Sequence, residues 1–176
     1  GTPTAVPLIA GEYTSFPTAA LEKAGSNVTL DANGSTFTGT VSLNVNGATV
    51  KNANFVNESG SVLGGTMDGN FKGCSFTGYN AARYTYAPEE DKTVYFTDCV
   101  FDGAVYGFHV DAGAGSIYFK ECEFYGFNAF GGALALVTFD NCLFGHKEGG
   151  AGYNGANLWG NTVMMNGTRF DWSADG

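Results

Sequence analysis

Apolar and polar positions along this chain fall into one recurring phrase: an apolar residue, about two polar residues, a small residue, any residue, then Phe. It reads FKGCSF at 71–76, FTDCVF at 96–101, FKECEF at 119–124 and FDNCLF at 139–144. VKNANF at 50–55 and MNGTRF at 165–170 are looser copies, and NGSTF at 33–37 is the most degenerate. The closing residues Phe37, Phe55, Phe76, Phe101, Phe124, Phe144 and Phe170 are 18, 21, 25, 23, 20 and 26 residues apart. That period suits one coil of a solenoid, and the stretches between copies alternate as strands rather than repeating at helical spacing.

Residues two apart on a strand face the same side. The small residues Ser35, Ala53, Cys74, Cys99, Cys122, Cys142 and Thr168 therefore share an inward face with the Phe column. The residues between them, Thr36, Asn54, Ser75, Val100, Glu123, Leu143 and Arg169, form an outward row. The polar pairs Lys72-Gly73, Thr97-Asp98, Lys120-Glu121 and Asp140-Asn141 suit a tight corner, where Gly, Asn and Asp tolerate left-handed backbone. A further strand per coil is expected at Tyr106 to Val110, Asn128 to Ala133 and Ala156 to Trp159. The predicted fold is all-β: a right-handed parallel β-helix of about seven coils with three short strands each. Residues 1–26 form a capping segment and 27–176 the β-helix. Within the cap one helix is expected from Ser15 to Gly25, with Ser15 or Thr14 capping, Pro17 in the first turn and Gly25 stopping it. It would lid the first coil.

Composition narrows the function classes. The 176 residues suffice for one domain, and no apolar run approaches the ~20 residues a membrane helix needs. Eight Lys plus Arg stand against 17 Asp plus Glu, so the field repels phosphate backbones, and neither nucleic acid nor membrane insertion is expected. The chain starts at Gly1 without a targeting segment, as expected if a signal has been removed or if this is a domain of something longer. Cysteines at one inward position of four adjacent coils would lie parallel about 4.8 Å apart, which favours a reduced, buried ladder over disulfides. A linear row also supplies no converging metal ligands. The Asn27, Asn33, Asn57 and Asn166 sequons are read as chance in a chain rich in Asn, Gly and Thr.

With these phrases in hand, the chain resembles the pectin-lyase-like superfamily of parallel β-helices. It is closest in flavour to the TFxNCxF-type repeats of bacteriophage tail and virion proteins and of bacterial surface adhesins, seen here in Val137–Phe144. The resemblance implies an extracellular, virion or cell-surface location. Polygalacturonase-like members carry Gly-His-Gly and Arg-Ile-Lys stretches, and this chain has neither; its Lys and Arg residues are too scattered to resemble a lyase site. The expectation is a non-catalytic structural or adhesive module that binds host glycans, without cofactor or metal. The alternative is a short polysaccharide lyase or glycoside hydrolase.

Two groups of residues carry candidate chemistry. In Gly107-Phe108-His109-Val110-Asp111, inward Phe108 and Val110 put His109 and Asp111 outward together, with Glu121 and Glu123 one coil later as the carboxylates that glycoside hydrolysis would need. A solvated polar row is the simpler reading. The insertions 77–93 and 145–155 carry Tyr79, Arg83, Tyr84, Tyr86 and Tyr153; with Trp159, these are the candidate ligand-binding residues, since Tyr offers a flat apolar face with a polar tip. His146 and Glu148 alone lack the further ligands a metal requires. Val100, Leu143, Tyr125 and Trp159 on the outside point to a homo-oligomer; the resemblance to phage proteins implies a trimer above other states, or other virion or surface proteins as partners.

Overall fold

The computed structural model describes residues 1–131, 133–146, 155–159 and 161–171, and the chain is a parallel β-solenoid of about seven turns. Its first sheet stacks eight strands in chain order: Thr4–Pro7, Val28–Asp31, Asn44–Lys51, Asp68–Lys72, Thr93–Thr97, Ser116–Lys120, Val137–Asp140 and Val163–Asn166. The second sheet stacks Glu12–Tyr13, Thr36–Thr38, Asn54–Thr66, Ser75–Tyr86, Val100–Ala112, Glu123–Phe130, Leu143–Gly145 and Arg169–Phe170, with Gly155–Leu158 paired to the far half of Glu123–Phe130. Every pairing among these strands is parallel.

The expected phase holds. Phe37, Phe55, Phe76, Phe101, Phe124 and Phe144 are buried, and their rings stack along the axis at 5.4, 5.1, 4.9, 5.3 and 4.8 Å between centroids. Phe71, Phe96, Phe119 and Phe139 of the first sheet fill the other side of the core edge-on to this stack, as Phe96 on Phe101 at 5.3 Å and Phe119 on Phe124 at 5.0 Å. Each ring fully removed from water contributes ~1.5–3 kcal/mol, so these columns dominate the stability of the coils. Phe170 departs from the pattern: it stacks on Phe144 at 4.9 Å but has no ring on its other side among the described residues and is 40% exposed.

Between the sheets the chain turns on one left-handed residue per coil, Asn52, Gly73, Asp98, Glu121, Asn141 and Gly167, with φ between 52° and 63°. These are the polar pairs expected at a corner. Asn52 also donates through Nδ2 to Asp31 Oδ1 of the preceding coil at 3.0 Å, and this bond, followed by the backbone N–H of Asn33, holds the Asp31 carboxyl below its ordinary pKa.

All four cysteines are free and buried. Packing is not their whole role. Each thiol reaches a carbonyl of the preceding coil: Cys74 to Val50 O at 3.8 Å, Cys99 to Phe71 O at 3.6 Å, Cys122 to Phe96 O at 3.4 Å and Cys142 to Phe119 O at 3.6 Å. In the same column the Thr168 hydroxyl donates to Phe139 O at 3.0 Å and the Ser35 hydroxyl to Ile9 O at 3.3 Å. Each thiol lies as near or nearer to a carbonyl of its own coil, Lys72 O, Thr97 O, Lys120 O and Asp140 O, at 3.6, 3.4, 3.4 and 3.6 Å, so its one proton is shared between the two coils, and Ala53 is the one member of the column without a donor.

The third strand of each coil is the far half of a long one. Asn54–Thr66, Ser75–Tyr86 and Val100–Ala112 run 13, 12 and 13 residues and bend at register shifts instead of breaking. Gly103 sits in one bend, where a Cβ would come within 1.8 Å of Tyr106 O. Asn128 satisfies another, accepting the Phe108 N–H at 2.9 Å and donating to Gly126 O and Gly155 O at 3.0 Å each.

The helix spans Thr18–Ala24 and continues as a 3-10 turn, Gly25–Asn27. Pro17 stands at its N-cap without a side-chain cap, so neither Ser15 nor Thr14 caps it; Thr18 Oγ1 donates instead to Ser42 O at 2.8 Å. Gly25 ends it in left-handed backbone, φ 58°. Strands Thr4–Pro7 and Glu12–Tyr13 precede the helix in the two sheets, so winding begins before it. The helix forms the third side of the first coil, held by Asn46 Nδ2 donating to Glu22 O at 3.3 Å. Phe16, just ahead of it, packs on the flank of the ring stack, edge-on to Phe37 and Phe55 at 5.1 Å each, while Tyr13 stacks beyond Phe37 at 5.4 Å.

Candidate functional site

Where the long strands bend, the regular columns break and unlike side chains meet. Ala82 pairs with Phe108 and Thr85 with Val110, so Arg83 and Tyr84 together oppose the single residue His109. This is a β-bulge, which re-aims side chains and adds local twist. Tyr84 takes the left-handed position of the bulge, φ 56°, usually given to Gly. The Arg83 guanidinium consequently lies between two rings, 4.6 Å from the Tyr84 centroid and 4.4 Å from that of Tyr106. A cation over a Tyr face gains ~0.5–1 kcal/mol at an exposed site, more when desolvated.

The cluster continues across the strands. The Tyr106 ring lies 5.0 Å from His109 and 5.5 Å from Phe127, edge-on to the latter. Beside it a cavity of about 350 Å³ is lined by Val105, Tyr106, Phe127 and Asn157. Among the described residues, Arg83 Nε and His109 Nδ1 here are shut off from solvent without a hydrogen-bond partner, as is Oδ1 of Asn80, the register neighbour of Tyr106. Buried polar atoms are rarely left so. His109 Nδ1 is 3.5 Å from Asp111 Oδ1, too long for a direct bond, and the two side chains are 15% and 32% exposed. Burial lowers the pKa of His109 below its ordinary value; Asp111 pulls it back up and Arg83 pushes it further down.

The structure distributes the sequence candidates as follows. Phe108 and Val110 point inward as expected, so His109 and Asp111 do share the outer face. Glu121 and Glu123 do not join them. Glu121 occupies the corner and lies 4.0 Å from Lys120 Nζ. Glu123 pairs with Val100 at the opening of Val100–Ala112, nine residues before His109, and accepts the Tyr125 hydroxyl at 2.6 Å. That bond, helped by burial, pushes Tyr125 up to about 12. Among the described residues, no group of three or more His, Cys, Asp or Glu side chains could hold a metal ion.

Of the proposed ligand-binding residues, Arg83 and Tyr84 belong to the cluster, while Tyr79 and Tyr86 are exposed on the same strand. Trp159 is 60% exposed beside Gly131, and Tyr153 and Glu148 lie outside the described residues. Val100, Leu143 and Tyr125 are half-buried and share their outward rows with Ser75, Glu123 and Asp102, so they make no continuous apolar face. Tyr106, Phe127 and Asn157 were not candidates from the sequence. Tyr106 follows Phe101 by five residues and Phe127 follows Phe124 by three, so no fixed spacing relates them. No protein-family model, curated protein or solved structure matches this chain. The class its coordinates define is the parallel β-solenoid with one short helix near the N-terminus.

Proposed function

We propose that this chain is a non-catalytic recognition module of a virion or cell surface, kin to the pectin-lyase-like β-helices, which holds glycans against the flank of its long strands. The observation that carries this reading is the Arg83 guanidinium stacked between Tyr84 and Tyr106, next to an open cavity that Phe127 extends. Flat rings accept the apolar face of a sugar, and Arg83, His109, Asp111 and Asn157 supply donors and acceptors for its hydroxyls. A rigid solenoid suits the role because its core fixes the rings without loop rearrangement.

The test is a glycan array followed by titration calorimetry on hits. Wild type binds a hit, Y106A weakens it at least tenfold, and Y95A, on the first sheet, leaves it unchanged. Absence of binding across neutral and acidic glycans, or a Y106A variant that binds as wild type does, refutes the reading. The alternative, a short lyase or hydrolase, rests on the pair of His109 with Asp111 alone. It would be established by a fall in polysaccharide viscosity that H109Q abolishes.

A further inference from the structure

Arg83 is a fixed cation without a counter-ion. Lys92 pairs with Asp68 at 3.1 Å and Lys120 with Glu121 at 4.0 Å, whereas no carboxylate among the described residues comes within ion-pair distance of Arg83. The Asp111 carboxylate turns to His109 Nδ1 instead, at 3.5 Å. Both faces of the guanidinium are occupied, by the Tyr84 ring at 4.6 Å and the Tyr106 ring at 4.4 Å. Nε is shut off from solvent, so the edge that stays open is that of the two Nη atoms, which bond to nothing among the described residues.

The preceding coil lays no side chain over this group. Leu63 pairs with Ala82 and Gly65 with Thr85, so Gly64 alone stands opposite Arg83 and Tyr84. Nothing in the packing demands a glycine there. Its backbone is not left-handed, and a Cβ would meet Arg83 O at 3.5 Å and Thr40 Cγ2 at 3.8 Å, which are ordinary contact distances. The glycine does, however, keep the approach to Arg83 clear.

Building on the glycan-recognition reading, we propose that the sugar held at this site is an acidic one, its carboxylate paired with the Nη edge of Arg83. A guanidinium presents two parallel N–H groups that match the two oxygens of a carboxylate, and the rings on its faces hold that fork in place before the ligand arrives. A neutral sugar covering Arg83 would strip water from the charge and return only hydroxyl contacts, which favours the acid over its neutral analogue. The chain's net charge of −9 opposes an anion at long range. Screening confines that opposition to about 8 Å at physiological salt, so direct contact with Arg83 decides.

The experiment is titration calorimetry with glucuronate-terminated and sialate-terminated trisaccharides, each as free acid and as methyl ester, beside neutral trisaccharides of the same linkage. The ester keeps the shape of the sugar and removes its charge. Wild type binds at least one free acid about ten- to a hundredfold more tightly than its ester. R83Q loses that preference, R83K keeps only part of it because an ammonium lacks the fork, and G64L blocks the acid by laying a side chain across the approach. Circular dichroism checks that each variant is folded, and the acid-to-ester ratio of wild type needs no variant at all. Neutral trisaccharides bound as tightly as the acids, and weakened by Y106A, overturn the carboxylate assignment while leaving the recognition reading in place. Acid and ester bound alike, or a preference that R83Q retains, overturn it as well. Binding of no glycan, acidic or neutral, overturns both.

Discussion

Replacing Cys122 separates packing from hydrogen bonding in the thiol column. Its Sγ lies 3.4 Å from Phe96 O and 3.4 Å from Lys120 O, with 1% of the residue exposed. Cys122→Ala removes a group the size of a methylene, ~0.8 kcal/mol of transfer energy, and leaves a small cavity with two carbonyls short of a weak donor. The expected loss is about 1–2 kcal/mol, a fall in Tm of roughly 2–8 °C for a chain of this size. Cys122→Ser keeps a donor in the geometry that Thr168 and Ser35 already use, and costs less than ~1 kcal/mol because its bond offsets part of the hydroxyl's desolvation. Cys122→Asp would bury a charge among apolar rings and cost several kcal/mol, on the order of 4. Urea titration followed by tryptophan fluorescence and circular dichroism reads all three. A Ser variant less stable than the Ala variant refutes the donor role. Thiol labelling checks burial independently: desolvation pushes Cys99 and Cys122 upward, so they stay protonated and slow to react. Labelling of all four within seconds in native buffer, or a mass two disulfides short of hydrogen, would refute the inward ladder.

Two further predictions concern outward groups. Glu121 holds φ 54° at a corner where the neighbouring coils use Asp98 and Asn141, so Glu121→Gly relieves left-handed strain and raises stability by about 0.5–1 kcal/mol; a loss in the urea midpoint would show that its side chain does more than turn the chain. His109 has a folded pKa below its ordinary 6.5, so the unfolded chain binds more protons near that value; its contribution is full above about pH 6.5 and is lost as pH falls through the folded pKa. H109Q should therefore flatten the decline in stability as pH falls below about 6.5, and an unchanged slope in urea midpoint against pH would refute the assignment.

The fold was legible because the core repeats residue by residue. Phe76, Phe101, Phe124 and Phe144 each follow a cysteine by two, and that spacing alone fixes strand, face and coil. The corner was legible too, since Gly73, Asn141 and Gly167 are residues that favour left-handed backbone. The helix start was misplaced because Thr18 is tied to Ser42, a contact across 24 residues that no local cap signal reports. Thiol donation was hidden for a related reason: Val50, Phe71, Phe96 and Phe119 accept through their backbone carbonyls, whatever their side chains. The candidate site was half legible. Arg83 and Tyr84 stood out as a Tyr-rich insertion, but Tyr106 and Phe127 looked like ordinary strand residues, and the bulges that bring them beside Arg83 consume different numbers of residues in each coil.

That irregularity also bears on why recognition should reside there. In the stacked columns every inward position is filled by its neighbours above and below, so a change in one coil is transmitted to the next and the sequence is constrained by packing. At the bulge this constraint lapses: Arg83 and Tyr84 oppose one residue, and both project from the surface of the strand. The arrangement costs stability, since a bulky residue in left-handed backbone is unfavourable by ~1–2 kcal/mol and two polar atoms stay unpaired. Gly at position 84 would relieve the backbone and lose only the ring. The ring at position 84 is explained if its purpose is the face it presents with Tyr106. Core columns supply the rigidity, and on the proposed reading the bulge at Arg83 and Tyr84, one of several register shifts in the long strands, supplies the recognition.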